Sequence, residues 1–495
     1  MESYIHLYGT NSEFTEAYNR PDYKEPWLSL TEENMEVNYN KPPLTAITFN
    51  SITWKTDVPA TGGTATKDNC TFEVYGNYED GTSADISSIV TVEGELVVPS
   101  STADQRQEVG QLTLTASYGG FSATGSVTAY QEAFDLSMEP LTFNILSAGT
   151  INWTVSKKFF GRTIDYKLNN NKWTSITSNT GSSAPTITVN PGDKLQFKGN
   201  NEQYATSSYY NSFSGSTALF EVEGNIMSLI YGDEFKNKLT ISSTSALARL
   251  FKGCTKLVSA ENLILPATTL ASNCYQQMFD GCTSLTKAPE LPATTLVTAC
   301  YNSMFYNCKS LTTAPELPAT PLAYGCYVNI FKGCTSLTIA PKLPATTLAE
   351  LCYNSMFDGC TSLITAPELP ATTLAKYCYD SMFRGCTSLT TAPALPATTL
   401  VTYCYQNMFS GCTSLTIAPE LPATALTTNC YNYMFNGCAS LNYIKCLATD
   451  ISASGCTNNW VSGVASTGTF VKASSMTSWA TGTSGIPTGW AVQDA

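Results

Sequence analysis

Sixteen of the 18 cysteines fall in two columns: Cys274, Cys300, Cys326, Cys352, Cys378, Cys404, Cys430 and Cys456, and Cys254, Cys282, Cys308, Cys334, Cys360, Cys386, Cys412 and Cys438. Within a unit the two cysteines stand eight residues apart, and each recurs every 26. Zinc sites use paired CxxC knuckles or mixed Cys/His sets. This spacing supplies neither, and His6 is the single histidine, which removes multi-His metal sites and most His-based catalysis. Column neighbours about 5 Å apart could form disulfides. Both columns, however, lie on the predicted apolar face, where a free cysteine acts as a small hydrophobe. We read them as buried, reduced thiols suited to folding in a cytoplasm.

The second recurring group is a tyrosine column, Tyr275, Tyr301, Tyr327, Tyr353, Tyr379, Tyr405 and Tyr431. Its rings could stack on sugars with their hydroxyls wet, which makes these residues candidate ligand contacts. Alternatively each ring packs against its neighbours between coils, and we weigh this reading above the first. Trp153 and Trp173 are expected in a β core rather than a sugar site. No Asp/Glu pair has a context that marks an acid and a base. Asn69-Cys70-Thr71 and Asn152-Trp153-Thr154 match glycosylation sequons, with nothing to indicate a glycosylating compartment. The chain is therefore expected to be no enzyme, with no catalytic residues, no metal and no cofactor.

The columns belong to a strict repeat. From Leu265 to Cys438 units such as LPATTLASNCYQQMFDGCTSLTKAPE recur with period 26, beginning at Leu265, Leu291, Leu317, Leu343, Leu369, Leu395 and Leu421. The spacing of Leu270, Cys274, Tyr275, Met278, Phe279 and Cys282 predicts one face of a short helix. Thr268 and Thr269 would cap its start, and Gly281, with its equivalents Gly333, Gly359, Gly385, Gly411 and Gly437, its end. Ser284–Ala288 alternates as a short strand before Pro289 and Pro292. At a strand spacing near 4.8 Å the units would form an arc roughly 40 Å long. Divergent half-units at Leu250 and after Cys438 suit the capped ends of a solenoid.

The front half reads as β. Residues 42–135 carry alternating runs (ITFNSITWKT, CTFEVYGNY, GELVVPS), and LTLTASY-GG-FSATGSVTAY is a hairpin pattern. They fit an immunoglobulin-like sandwich. Residues 136–232 give a second β module. Residues 1–41 carry net charge −5 and Trp27, Tyr4, Tyr8, Tyr18, Tyr23 and Tyr39 without periodicity. They read either as a loosely packed leader or as an arm that orders on a partner, with Tyr8 and Trp27 as candidate anchors. The expected fold is thus multi-domain: N-terminal arm (1–41), two β-sandwich (Ig-like) modules (42–135 and 136–232), an α/β leucine-rich-repeat solenoid (233–456) and a C-terminal cap (457–495).

Charge narrows the partners. Charged residues are 13% of the 495 where about 25% is usual, and the formal charge is −13, so nucleic-acid binding is not expected. Residues 1–140 carry net −15, leaving a near-neutral remainder. No run of about 18 apolar residues exists, so no membrane span is expected. The opening MESYIHLY lacks a basic n-region and an apolar h-region, and the first cysteine is Cys70, which argues against export and lipoprotein anchoring.

The core MFDGCTSLTKAP, repeated as MFSGCTSLTIAP, resembles the bacterial BspA-type leucine-rich repeat, which implies a recognition or adhesion surface without catalysis. Residues 42–135 resemble bacterial Ig-like and BACON-type modules of gut Bacteroidales surface proteins. The segment YIHLYGTNSEFTEAYNRPDYKEPWLSLTEENMEVNYNK is similar to the opening of structural proteins of crAss-like tailed bacteriophages. These resemblances imply a virion-surface appendage assembled in the host cytoplasm, a capsid head fibre in preference to a tail fibre. Its arm would bind the capsid shell, its repeats would meet a host-surface or glycan (mucus) ligand, and it would be a homo-oligomer, dimer or trimer. The alternative is a Bacteroidales cell-surface adhesin or glycan-binding protein.

Overall fold

The computed structural model describes residues 28–30, 37–39, 42–54, 63–98, 107–131, 135–159, 161–177 and 185–495. The candidate anchors Tyr8 and Trp27 lie outside the described residues. The chain divides into two compact units, Met1–Asp135 and Leu136–Ala495. Strand is the main regular element in both, and the one α-helix among the described residues, α1, is the single turn Ser228–Tyr231.

Among the described residues of the first unit every ladder is antiparallel. Strand β1 (Leu28–Leu30) pairs with β2 (Val37–Tyr39). Strands β3 (Leu44–Trp54), β5 (Cys70–Tyr78) and β6 (Ser83–Asp85) form one sheet. Strand β4 (Gly63–Thr66) pairs with β8 (Glu95–Val98), and β10 (Phe121–Gln131), β9 (Gln107–Tyr118) and β7 (Thr91–Glu93) form another sheet. The period-two alternation places Leu112, Leu114 and Ala116 of β9 inward, where they share a core with Ile47, Val74 and Val92. The hairpin closes as its residues dictate. Phe121 pairs with Tyr118, and Gly119 and Gly120 take φ of 60° and 84°, the left-handed pair of a type I′ turn.

The second unit opens with a six-stranded sheet ordered β14-β13-β16-β11-β17-β18: Thr174–Thr177, Thr163–Leu168, Lys194–Gly199, Leu141–Ile145, Phe220–Asn225 and Leu257–Ile264. A separate pair joins β12 (Gly149–Asn152) to β15 (Thr186–Val189). Strand β18 comes from the repeat region and pairs parallel with β17, so residues 136–232 and the repeats share one core. Phe143 stacks on Phe220 at 4.8 Å and meets Phe197 and Phe213 edge-on. Phe251 lies 6.0 Å from Phe143 and stacks on Phe279 at 5.3 Å, which carries the aromatic column into the repeats.

The repeats do not contain the expected helix. Asn273, Gln277 and Gly281 have φ of 58°, 54° and 76°, and left-handed residues at every fourth position cannot lie within a right-handed α-helix. The amides instead divide between two directions. Gln276, Met278, Asp280 and Cys282 donate to the carbonyls three residues back, closing successive turns. Between them Asn273, Tyr275, Gln277, Phe279 and Gly281 donate to Thr298, Cys300, Asn302, Met304 and Tyr306 of the next coil. Backbone groups are thereby satisfied along and across the stack. Thr268 and Thr269 cap nothing: their amides both bond the Leu239 carbonyl. Gly281 is the third left-handed corner rather than a helix end. The strand expected at Ser284–Ala288 reduces to single parallel bridges, such as Ser259 with Lys287 and Thr313 with Ile339, because the prolines beyond it lack amide donors. The repeat region is therefore β and turn, not α/β. After the last unit, β19 (Tyr443–Cys446), β20 (Thr469–Lys472) and β21 (Ala491–Asp494) form a parallel sheet.

Candidate recognition surface

The tyrosine column is placed in the core. Tyr275, Tyr301, Tyr327, Tyr353, Tyr379, Tyr405 and Tyr431 are each no more than 1% exposed, and their rings stack coil on coil at 5.7–6.2 Å. No face is open to a sugar, so the candidate ligand contacts become packing contacts, and the between-coil alternative describes them. A parallel phenylalanine column runs from Phe251 to Phe435 at 5.3–5.8 Å. Both columns end on Trp460, 6.2 Å from Tyr431 and from Phe435. Trp460 stacks on Trp479 and donates its indole N–H to Gly485 O at 2.9 Å.

The cysteine columns are buried free thiols. In the second column each Sγ from Cys282 to Cys438 donates to the carbonyl of a phenylalanine in the preceding coil, as Cys308 does to Phe279 at 3.2 Å and Cys360 to Phe331 at 3.1 Å. Burial pushes the thiols of Cys300 and Cys430 up to about 11 and those of Cys326 and Cys334 up to about 12. They stay protonated at neutral pH and are poor nucleophiles and metal ligands. Among the described residues no group of three or more His, Cys, Asp or Glu is placed to hold a metal ion. No described helix is long and apolar enough to cross a membrane.

Several charged groups of the repeats pair from coil to coil. Asp358 lies between Lys332, at 3.0 Å, and Arg384, at 2.6 Å, one coil to either side, and Lys252 meets Asp280 at 2.6 Å. A groove of about 510 Å³ lies along Pro289, Pro292 and Pro315 with Glu261, Glu290 and Glu316 at its rim. Lys287 pairs with Glu261 there. Trp153 is buried against Phe213 and Tyr204, as a core residue. Trp173 instead lies under the ammonium groups of Lys198 and Lys167, at 4.4 and 5.4 Å. Both sequon amides serve the fold, since Asn69 Oδ1 accepts from Thr66 N and Asn152 Nδ2 donates to Gly215 O.

Constant residues such as Pro292 and Thr294 reach solvent in the repeats, and two columns that vary lie outside the apolar interior beside them. The column Lys287, Thr313, Ile339, Thr365, Thr391, Ile417 faces outward, with Ile339 60% and Ile417 58% exposed. The first left-handed corner changes from Asn273 through Ala299, Gly325, Leu351, Tyr377 and Tyr403 to Asn429. Two of these residues lie in consecutive coils: the half-buried rings of Tyr377 and Tyr403 stack at 4.5 Å and 12°. Recurrence draws attention to the buried tyrosines and away from this pair. The signal for this pair is a departure from the repeat, two aromatics where other coils carry Asn, Ala, Gly or Leu.

No curated protein matches the chain. Residues 225–363 and 327–442 match the BspA type leucine rich repeat region, in six copies. The repeats of this β-rich chain, rather than its first unit, are what is similar to a known family.

Proposed function

We propose that the chain is a non-enzymatic surface protein of adhesion or recognition, with the repeat region as its binding element. The observation that carries this reading is the match of residues 225–363 and 327–442 to BspA type repeats. The burial pattern supports it. The large apolar side chains that recur from unit to unit, such as Cys352, Tyr353, Phe357 and Cys360, point inward, while the column from Lys287 to Ile417 varies and faces out. A stack with a constant interior and a variable exterior can alter its ligand without altering its fold. Adhesion of the fluorescently labelled protein to mucin-coated surfaces and to Bacteroidales cells tests the reading, and retention no greater than that of an unrelated protein of equal charge would refute it.

The finer reading is a bacteriophage virion appendage, a capsid head fibre held to the shell by residues 1–41 as a homo-oligomer, with two Ig-like sandwiches as stalk and the solenoid displayed. It is supported by the acidic, aromatic arm and its resemblance to crAss-like phage structural proteins. Mass spectrometry of purified virions, with cryo-microscopy of the capsid, tests it. Recovery of the protein from bacterial outer surfaces but not from particles would favour the cell-surface adhesin instead.

A further inference from the structure

At the first corner of each coil φ lies between 51° and 61° from Asn273 to Asn429. Asn and Gly adopt this conformation readily, whereas a bulky side chain is held there at a cost. Leu351, Tyr377 and Tyr403 occupy the corner in three consecutive coils, at 60°, 57° and 61°. Core packing does not account for the two tyrosines, because the buried Tyr and Phe columns run past them without a break. At 4.5 Å their rings lie closer together than those of any buried tyrosine pair in the repeats. Lys376 Nζ stands 5.1 Å from the Tyr377 centroid, and Tyr324, next to the Gly325 corner one coil before Leu351, is 51% exposed. One coil beyond Tyr403, Asn429 takes the same corner and accepts a hydrogen bond from Asn432 Nδ2, while Asn432 Oδ1 is buried with no hydrogen-bond partner among the described residues. Strained residues that the core does not need mark function better than regular ones do.

Resting on the recognition reading above, we propose that the stacked pair Tyr377–Tyr403 is a binding platform for a pyranose ring of a neutral glycan. Because the two rings stack face to face, the pair offers C–H groups one flat apolar bed, the outer face of Tyr403 on the side of the Asn429 coil, and side-chain amides of that coil are of the polarity that sugar hydroxyls bind. Lys376 and the carboxylates of Glu350 and Asp380 lie near Tyr377, a mixed set of charges, which disfavours a purely ionic mode of binding.

The test uses the full chain in affinity gels containing galactomannan, xyloglucan or gastric mucin, with Tyr377→Asn/Tyr403→Asn and Tyr377→Phe/Tyr403→Phe double variants. The Asn variant keeps a residue native to this corner, so it should melt no lower than the parent chain while its affinity falls about tenfold or more. The Phe variant should keep most of the retardation, and high salt should leave binding of the parent chain largely intact. Equal retardation of the Asn variant and the parent chain would overturn the site yet leave the recognition reading standing. Binding abolished by salt or by Lys376→Ala alone would also overturn it, in favour of a polyanion. Failure of the parent chain to bind any glycan, mucin surface or cell would remove both.

Discussion

A buried thiol reports its own environment. Unfolded cysteines titrate near 9, whereas Cys300 and Cys430 are pushed up to about 11 and Cys334 to about 12 by burial. Between these values the unfolded chain has given up protons that the folded chain keeps. Their stabilising contribution is therefore complete below pH 9 and is lost as pH rises through 11 to 12, at about 1.4 kcal/mol per pH unit for each thiol. Thermal melts of the reduced protein should hold level from pH 7 to 8.5 and fall steeply above pH 9.5, and a flat profile to pH 11 would contradict the burial. Thiol labelling at neutral pH should likewise be slow until denaturant is added. The aromatic columns make an equally local prediction. Phe357 is fully buried between Phe331 at 5.8 Å and Phe383 at 5.7 Å, so Phe357→Ala should cost about 3–5 kcal/mol in chemical denaturation.

The coil was half legible in the sequence. Its inward residues, Cys274 with Tyr275, Met278 with Phe279, and Cys282, were correctly identified as apolar, but their spacing of four was read as helical. A helix drifts, with 3.6 residues per turn, whereas an unbroken four-residue period with Asn273, Gln277 and Gly281 before the inward residues denotes successive turns with left-handed corners. Repetition identifies what the stack needs internally, so it does not single out the tyrosine pair proposed as a ligand contact, which departs from the repeat. The corners give a direct check. Gly385 has φ 70°, and a Cβ built on it would meet Gly359 no closer than 3.8 Å, so Gly385→Ala meets conformational resistance without a clash. It should lower stability by about 1–2 kcal/mol, less than a core deletion. A loss above that of Phe357→Ala would show that the corner is sterically closed instead.

At the scale of the whole chain, the decisive feature is that two cores share no residue. Ile47, Val74, Leu112 and their neighbours form one, and a second runs without interruption from Leu141 through the repeats to Trp490. The lengths of the β segments and the 26-residue period were visible in the sequence, but the fusion of residues 136–232 with the repeats was not. It depends on β18 pairing parallel with β17 and on Phe251 bridging Phe143 to Phe279, contacts that no local pattern encodes. Two truncations separate these cases. A chain of residues 136–495 retains every contact of its core and should melt at the temperature of the corresponding transition in the full chain. A chain ending at Leu250 loses β18, at the edge of the six-stranded sheet, and strips Phe251 from the aromatic cluster around Phe143 and Phe213. Its second unit should then fail to fold cooperatively while the first still does, giving one transition where the full chain gives two. A cooperative second transition in the chain ending at Leu250 would mean that the β segment is stable without the repeats, and that their shared core is an addition to the sheet rather than a condition for it.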